Sequence, residues 1–160
     1  MLKPLLIVWQ RLVSSDGQTC DRCGATGQAL QRAVAKLKQV LPPLGLKPVL
    51  KTKEISEELF KTDPSVSNRV WIAGRALEEW LSADVGASRC CTVCGESECR
   101  TVKVGGVVFE AIPEELILRA ALVAAAQLVG SVSEVGLSQT NDACCQATCC
   151  TTHIESLTVD

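Results

Sequence analysis

Residues 5–52 constrain the fold more than any other part of the chain. An apolar, β-branched segment, "LLIVWQRLV" (5–13), is followed by the turn-rich "SSDGQT" (14–19) and then by "TCDRCG", which carries Cys20 and Cys23. Leu30, Val34, Leu37 and Leu41 then recur at helical spacing up to Pro42 and Pro43, and a second apolar segment, "LKPVLKT" (46–52), completes the unit. The change of period from continuous apolar to 3.6 and back predicts a buried strand, an amphipathic helix with its stop signal, and another strand. A crossover helix between two strands makes them parallel neighbours joined in the right-handed sense. Pro48 assigns the second strand to a sheet edge, because proline cannot donate to a ladder.

The remaining chain continues the pattern. "SEELFKTDP" (56–64) predicts a short helix with a Ser56 cap and an end before Pro64, and "NRVWIAG" (68–74) a third strand whose Val70, Trp71 and Ile72 read as buried on both sides. "TVKVGGVVFEAI" (101–112) predicts a hairpin turning at Gly105-Gly106, and "PEELILRAALVAAAQLVG" (113–130) a helix with proline in its first turn and two glutamates at the positive end of its dipole. The order β-α-β-α-β-β-α, with a CxxC where the first strand meets the first helix, resembles a three-layer thioredoxin-like α/β fold. The expected organisation is a domain over 1–130 with a cysteine-rich insertion at about 86–101, followed by a flexible cysteine-rich tail over 131–160.

Composition narrows the function classes. A chain of 160 residues, 47% hydrophobic, holds one domain with a substantial core, and a formal charge of -2 offers no electrostatic attraction for nucleic acid. Trp9, Trp71 and Trp80 suit core or groove packing rather than base stacking, and Glu78 and Glu79 read as a solvated face. No Ser-His-Asp set, phosphate-binding loop or dinucleotide glycine pattern supports a hydrolase, ATPase or dehydrogenase. The apolar runs at 5–9 and 116–129 are too short for a membrane span, and the N-terminus lacks a signal-peptide pattern. A cytoplasmic location is expected, and thiols there are reduced or metal-bound by default.

The ten cysteines are the compositional outlier. Cys20 and Cys23 at a helix N-terminus form a thioredoxin-type dithiol, in which the helix dipole and free N–H groups lower the first thiol from about 8.5 to roughly 3.5–7.5. Cys20 is then the attacking thiolate, Cys23 the resolving thiol, and Arg22 a further support for the anion. The glycines and threonine at 24–27 weaken a helix starting there. A metal reading competes: "CDRCG" (20–24) and "CTVCG" (91–95) are both CxxCG knuckles, and two knuckles make a tetrahedral thiolate site. Alternatively Cys90, Cys91, Cys94 and Cys99 close a local site of three or four thiolates. If the third strand is followed by an antiparallel return, the 90–99 loop emerges at the pole of Cys20 and Cys23, and the thiols share one centre. Separations beyond about 10 Å, outside ligation or exchange, would refute this.

In "CCQATCCTTH" (144–153), helical spacing would put Cys145, Cys149 and His153 on one face, with Cys144 beside them; Cys150 is a further candidate thiolate ligand and His153 a bystander. The paired cysteines resemble the thiol clamps of arsenic metallochaperones. More broadly, Trp9-Gln10-Arg11, "TCDRCG", "SNRVWIAGRALEEWL" (67–81), "CCTVCGESECRTV" (90–102) and "EAIPEELI" (110–117) resemble a bacterial family of cysteine-rich, thioredoxin-like proteins catalogued as a domain of unknown function. Asn68 and Arg69 stand where a thioredoxin-like chain carries cis-proline and threonine, and loss of that proline leaves the dithiol open to metal. The resemblance implies a fold and a cysteine set, with a soft-metal theme from neighbouring arsenic and metal-resistance genes.

Three functions follow. The first is binding of soft metal or metalloid ions of the Zn, Cu(I), As(III) or Hg class through cysteine thiolates, in metal handling or detoxification. Zinc is the ion expected in purified protein, and an iron-sulfur cluster is chemically compatible. The second is thiol-disulfide exchange by Cys20 and Cys23 with a thiol protein partner, and the third a zinc-stabilised interaction module.

Overall fold

The computed structural model describes residues 1–90 and 94–131. β1 (Lys3–Leu12) forms the centre of a four-stranded sheet and pairs in parallel with β2 (Leu46–Ile55), from Lys3 opposite Leu46 to Leu12 opposite Ile55. Between them runs α1 (Asp21–Val40), whose buried stripe of Cys23, Thr26, Gly27, Leu30, Ala33, Val34 and Leu37 follows the helical period. Pro42 and Pro43 end that helix in a 3-10 turn, and Gly45, at φ 76°, reverses the chain into β2. β2 is an edge strand, as Pro48 requires.

The 24–27 stretch does not weaken α1, which begins at Asp21 and runs through it. At Gly27 the reason is contact: a Cβ would stand 2.6 Å from the Trp9 indole, so glycine admits that ring against the helix. Thr26 is fully buried, and its Oγ1 accepts the backbone N–H of Ile112 at 3.0 Å. That bond ties the first helix to the segment leading into the last one.

α2 (Glu57–Thr62) begins at Ser56, whose hydroxyl accepts the Leu59 N–H. β3 (Arg69–Ile72) pairs antiparallel with β1 and buries Val70 and Ile72, while Trp71 is half-buried beneath the Arg69 guanidinium. The expectation of a strand buried on both faces therefore fails at Trp71. A tight turn through Ala73 and Gly74, both at positive φ, leads to β4 (Arg75–Ala76), which pairs with β3 and passes directly into α3 (Leu77–Leu81).

The strand order β2-β1-β3-β4, with one parallel and two antiparallel pairings, is a thioredoxin-like arrangement. Its fourth strand is β4, not the Gly105-Gly106 hairpin. With that edge filled by Arg75 and Ala76, the hairpin strands β6 (Glu98–Val104) and β7 (Val107–Phe109) join β5 (Asp84–Arg89) in a separate three-stranded sheet. β5 escapes the sequence pattern because it is mostly exposed and carries Gly86, whose absent Cβ makes room for the Thr101 hydroxyl.

The last helix, α4 (Glu114–Gly130), packs an alanine-rich face of Ala120, Ala121, Ala124 and Ala125 into the core and contacts α1, α3 and β3. Pro113 caps it in extended conformation, just before the first helical residue. No helix among the described residues is long and apolar enough to cross a membrane.

Glu78 also departs from expectation. Rather than facing solvent, its carboxylate pairs with the buried Arg100 of β6, whose guanidinium also donates to the Ser65 carbonyl at 3.2 Å. This ion pair pins the second sheet to the thioredoxin-like core.

Candidate metal centre

Two separate parts of the fold supply the cysteines. Cys20 is the N-cap of α1, in extended conformation (φ -70°, ψ 161°), and Cys23 lies one turn further on, facing inward. Cys90 follows the last residue of β5, Cys94 precedes the turn into β6, and Cys99 is the second residue of β6. The core thus contributes Cys20 and Cys23, and the three-stranded sheet Cys90, Cys94 and Cys99.

The two CxxCG sequences adopt different conformations. Gly24 is an ordinary helical residue whose N–H donates to the Cys20 carbonyl at 2.8 Å, so "CDRCG" is a helix start. Gly95 has φ 63°, the left-handed conformation a thiolate knuckle needs, and the Ser97 N–H closes the turn on the Cys94 carbonyl. The chain therefore pairs one thioredoxin-type CxxC with one knuckle-type turn.

The sulfurs of Cys20, Cys90 and Cys94 all lie within 4.8 Å of one another. Sulfurs held about 2.3 Å from one tetrahedral ion stand roughly 3.8 Å apart, so this triad needs only a small contraction to ligate. Cys23 and Cys99 both hydrogen-bond Cys20, and Cys99 also reaches Cys90 and Cys94. Five described thiols occupy one pole. Cys20, Cys23, Cys94 and Cys99 are buried free thiols, whereas Cys90 is partly exposed.

Their protonation follows from that crowding. The Cys23 and Cys99 thiols donate to Cys20, and hold it far below the ordinary thiol range despite its burial. Cys23 rises in return, because it donates to the Cys20 anion and is itself buried. Burial pushes Cys94 up to about 12, and Cys99 is raised by its bond to Cys20 and by burial. The resulting arrangement is one thiolate ringed by protonated thiols, a set ready to exchange protons for a soft cation.

The hydrogen bonds of Arg22 go elsewhere. Its guanidinium turns to the second sheet, donating to the Ser88 carbonyl at 3.3 Å, the Ser88 hydroxyl at 2.9 Å and the Arg89 carbonyl, and pairing with Glu110 at 2.8 Å.

The loop opposite the dithiol is also rebuilt. Asn68, where the proline was missed, has φ 54°, and its Oδ1 accepts the Trp9 indole N–H at 3.3 Å. Its neighbour Ser67 is the residue sequence reasoning overlooked. The Ser67 hydroxyl lies 3.7 Å from the Cys23 sulfur and accepts the Leu12 N–H at 3.0 Å. The available signal was position, since Ser67 lies two residues before β3, beside the Asn68 that stands in place of the proline. Beside Cys94, a cleft of about 330 Å³ opens between Glu57, Phe60, Lys61 and Glu96.

Cys91, Cys144, Cys145, Cys149, Cys150 and His153 lie outside the described residues, as does the expected tail after residue 131. An Archaeoglobus fulgidus protein recorded as "Uncharacterized protein" is 45% identical over 113 residues, covering 71% of this chain and 82% of its own. No solved structure matches the chain. A family sequence model matches residues 5–121, from within β1 to the first half of α4, and the chain therefore belongs to the family described as "Domain of unknown function (DUF2703)".

Proposed function

We propose that this protein binds a soft metal or metalloid ion of the Zn, Cu(I), As(III) or Hg class through cysteine thiolates, in metal handling or detoxification. The observation that carries the reading is the mutual approach to within 4.8 Å of the sulfurs of Cys20, at the start of α1, and of Cys90 and Cys94, between β5 and β6. Cys99 and Cys23 stand next to that triad as further donors, and Cys91 with the paired cysteines 144–145 and 149–150 would extend it. An all-sulfur donor set selects soft and borderline ions over magnesium or calcium. Zinc is the ion expected in purified protein, an iron-sulfur cluster is compatible with the same donors, and the reduced thiols suit a cytoplasmic location. The cysteine-rich tail at 131–160 would act as an acquisition arm appended to a domain over 1–130.

Metal analysis of anaerobically purified protein, with thiols titrated before and after chelation, tests this. A stoichiometric thiophilic ion whose removal exposes three or more thiols is the expected result. Protein that takes up none of zinc, cadmium, Cu(I), As(III) or Hg(II) even when reconstituted would overturn it.

A second reading, thiol-disulfide exchange, is favoured by one observation: Cys20 is held as a thiolate at a helix start, with Cys23 donating to it. It predicts a reversible Cys20–Cys23 disulfide with a potential in the range of roughly -120 to -270 mV.

A further inference from the structure

We propose that Arg22 is a positioning residue for the thiolate centre, a latch that carries Cys90 to Cys20. The inference rests on the metal-binding reading, since it concerns how that site is assembled.

The centre has a construction problem. Cys20 belongs to the thioredoxin-like core, whereas Cys90 hangs from the end of a strand in another sheet. Neither backbone hydrogen bonds nor sheet register relate the two, because β5 pairs only with β6. Something must set the end of β5 against the start of α1 to within the few ångströms that ligation tolerates. The Arg100–Glu78 pair joins the sheets through β6, where Arg100 lies opposite Ala87 of β5 and reaches towards Ser65 and α3; it makes no bond to α1, where Cys20 sits.

Arg22 fills that gap. It lies between the two cysteines of the CxxC, so its backbone moves with Cys20. Its guanidinium grips the carbonyls of Ser88 and Arg89 and the Ser88 hydroxyl, which are the last residues before Cys90. Glu110 accepts from Arg22 at 2.8 Å and from the Ser88 hydroxyl at 3.1 Å, and so aims the fork. Only a planar guanidinium can engage two successive carbonyls, a hydroxyl and a carboxylate at once; a lysine ammonium has the charge without the fork. The Arg22 side chain is itself mostly buried, at 15% exposure. Groups that orient ligands without touching the metal typically contribute 10- to 100-fold to its affinity.

The test uses the full chain, cadmium(II) as probe, and Arg22→Gln, Arg22→Lys and Glu110→Gln variants. Cadmium-thiolate charge-transfer absorption counts the bound sulfurs, and competition with a chelator gives affinity. Arg22→Gln should bind cadmium about 10- to 100-fold more weakly and with reduced charge-transfer intensity. Arg22→Lys should not restore either, and Glu110→Gln should shift both in the same direction by less. The metal-free protein supplies an independent measure: a short bifunctional alkyl halide, which alkylates both thiols with loss of two halide ions and two protons, should join Cys20 to Cys90, identified by peptide mass, at least tenfold more slowly in Arg22→Gln. Wild-type affinity, spectrum and cross-linking in folded Arg22→Gln would overturn the latch. If Arg22→Gln does not fold, Glu110→Gln and Arg22→Lys decide by the same readouts. Failure of the wild-type protein to bind any of cadmium, Cu(I), As(III) or Hg(II) defeats the metal reading instead, and the cross-linking rates still judge Arg22.

Discussion

The sulfur of Cys20, at the first turn of α1, lies within 4.8 Å of the sulfur of Cys90, at the end of β5. Three strands of the four-stranded sheet and all of β5 lie between them in the chain; Cys20 caps a helix packed on the first sheet, and Cys90 follows a strand of the second. A centre assembled in this way stands or falls with tertiary structure.

Cys94→Ser and Cys90→Ser each remove one of three converging sulfurs. Each variant should lose more cadmium or zinc affinity than an orienting residue contributes, so a decrease beyond about 100-fold is expected. Competition against a chelator of known affinity measures it. Both variants should unfold at the same denaturant midpoint as the wild type when metal-free, because neither side chain fills a large volume.

Metal uptake should release protons. Cys94 is pushed up to about 12 by burial, and Cys23 and Cys99 are also raised, so those thiols are protonated at neutral pH and must ionise to ligate. Affinity therefore falls as pH falls, since protons compete with the ion for the raised thiols. Calorimetric titration in buffers of different ionisation enthalpy should show net proton release at pH 7. Zero release would mean that the raised thiols are not ligands.

Gly27→Ala sets helix propensity against space. Alanine favours a helix interior by about 1 kcal/mol, whereas a Cβ placed 2.6 Å from Trp9 overpacks the core at a cost of about 1–3 kcal/mol. The ring, carried by β1, is buried against α1 and held by Asn68, so it cannot step aside freely. Net destabilisation is expected, seen as a lower denaturant midpoint together with altered tryptophan fluorescence. A rise in midpoint would contradict the close approach.

Thr26→Val keeps the shape and deletes the acceptor of the Ile112 N–H. Leaving that buried donor unpaired should cost about 1–3 kcal/mol. Amide exchange at Ile112 should accelerate by more than global unfolding accounts for.

Glu78→Gln leaves Arg100 buried with its charge uncompensated, and breaking such a pair costs about 3–5 kcal/mol. Arg69, 3.8 Å from the same carboxylate, adds a second positive charge to the deficit. Chemical denaturation of the variant measures the loss.

Much of the core architecture was legible in the chain. The strand, helix and strand of residues 3–55 follow from apolar period, prolines and glycine, because these act locally on backbone and burial. The edge position of β2 followed from Pro48, and the α2 cap from Ser56. The hairpin was located correctly but given to the wrong sheet, since two residues at Arg75 and Ala76 sufficed to close the fourth strand and leave no local pattern. Glu78 read as solvated because its partner, Arg100, is remote in the chain.

The same division holds at the cysteines. Residue identity by itself determined that the chain carries a surplus of sulfur donors, that Cys20 and Cys23 begin a helix, and that a glycine follows Cys94 to permit its turn. Which sulfurs meet was decided only by the packing of one sheet against another, through Arg22 on β5 and Arg100 on Glu78. Propensity and period act over a few residues, whereas ligation requires positions set to a few ångströms between distant segments. Arg22 shows the difference: its place in the CxxC suggested a cation for the thiolate, and its side chain instead reaches the strand that ends at Cys90.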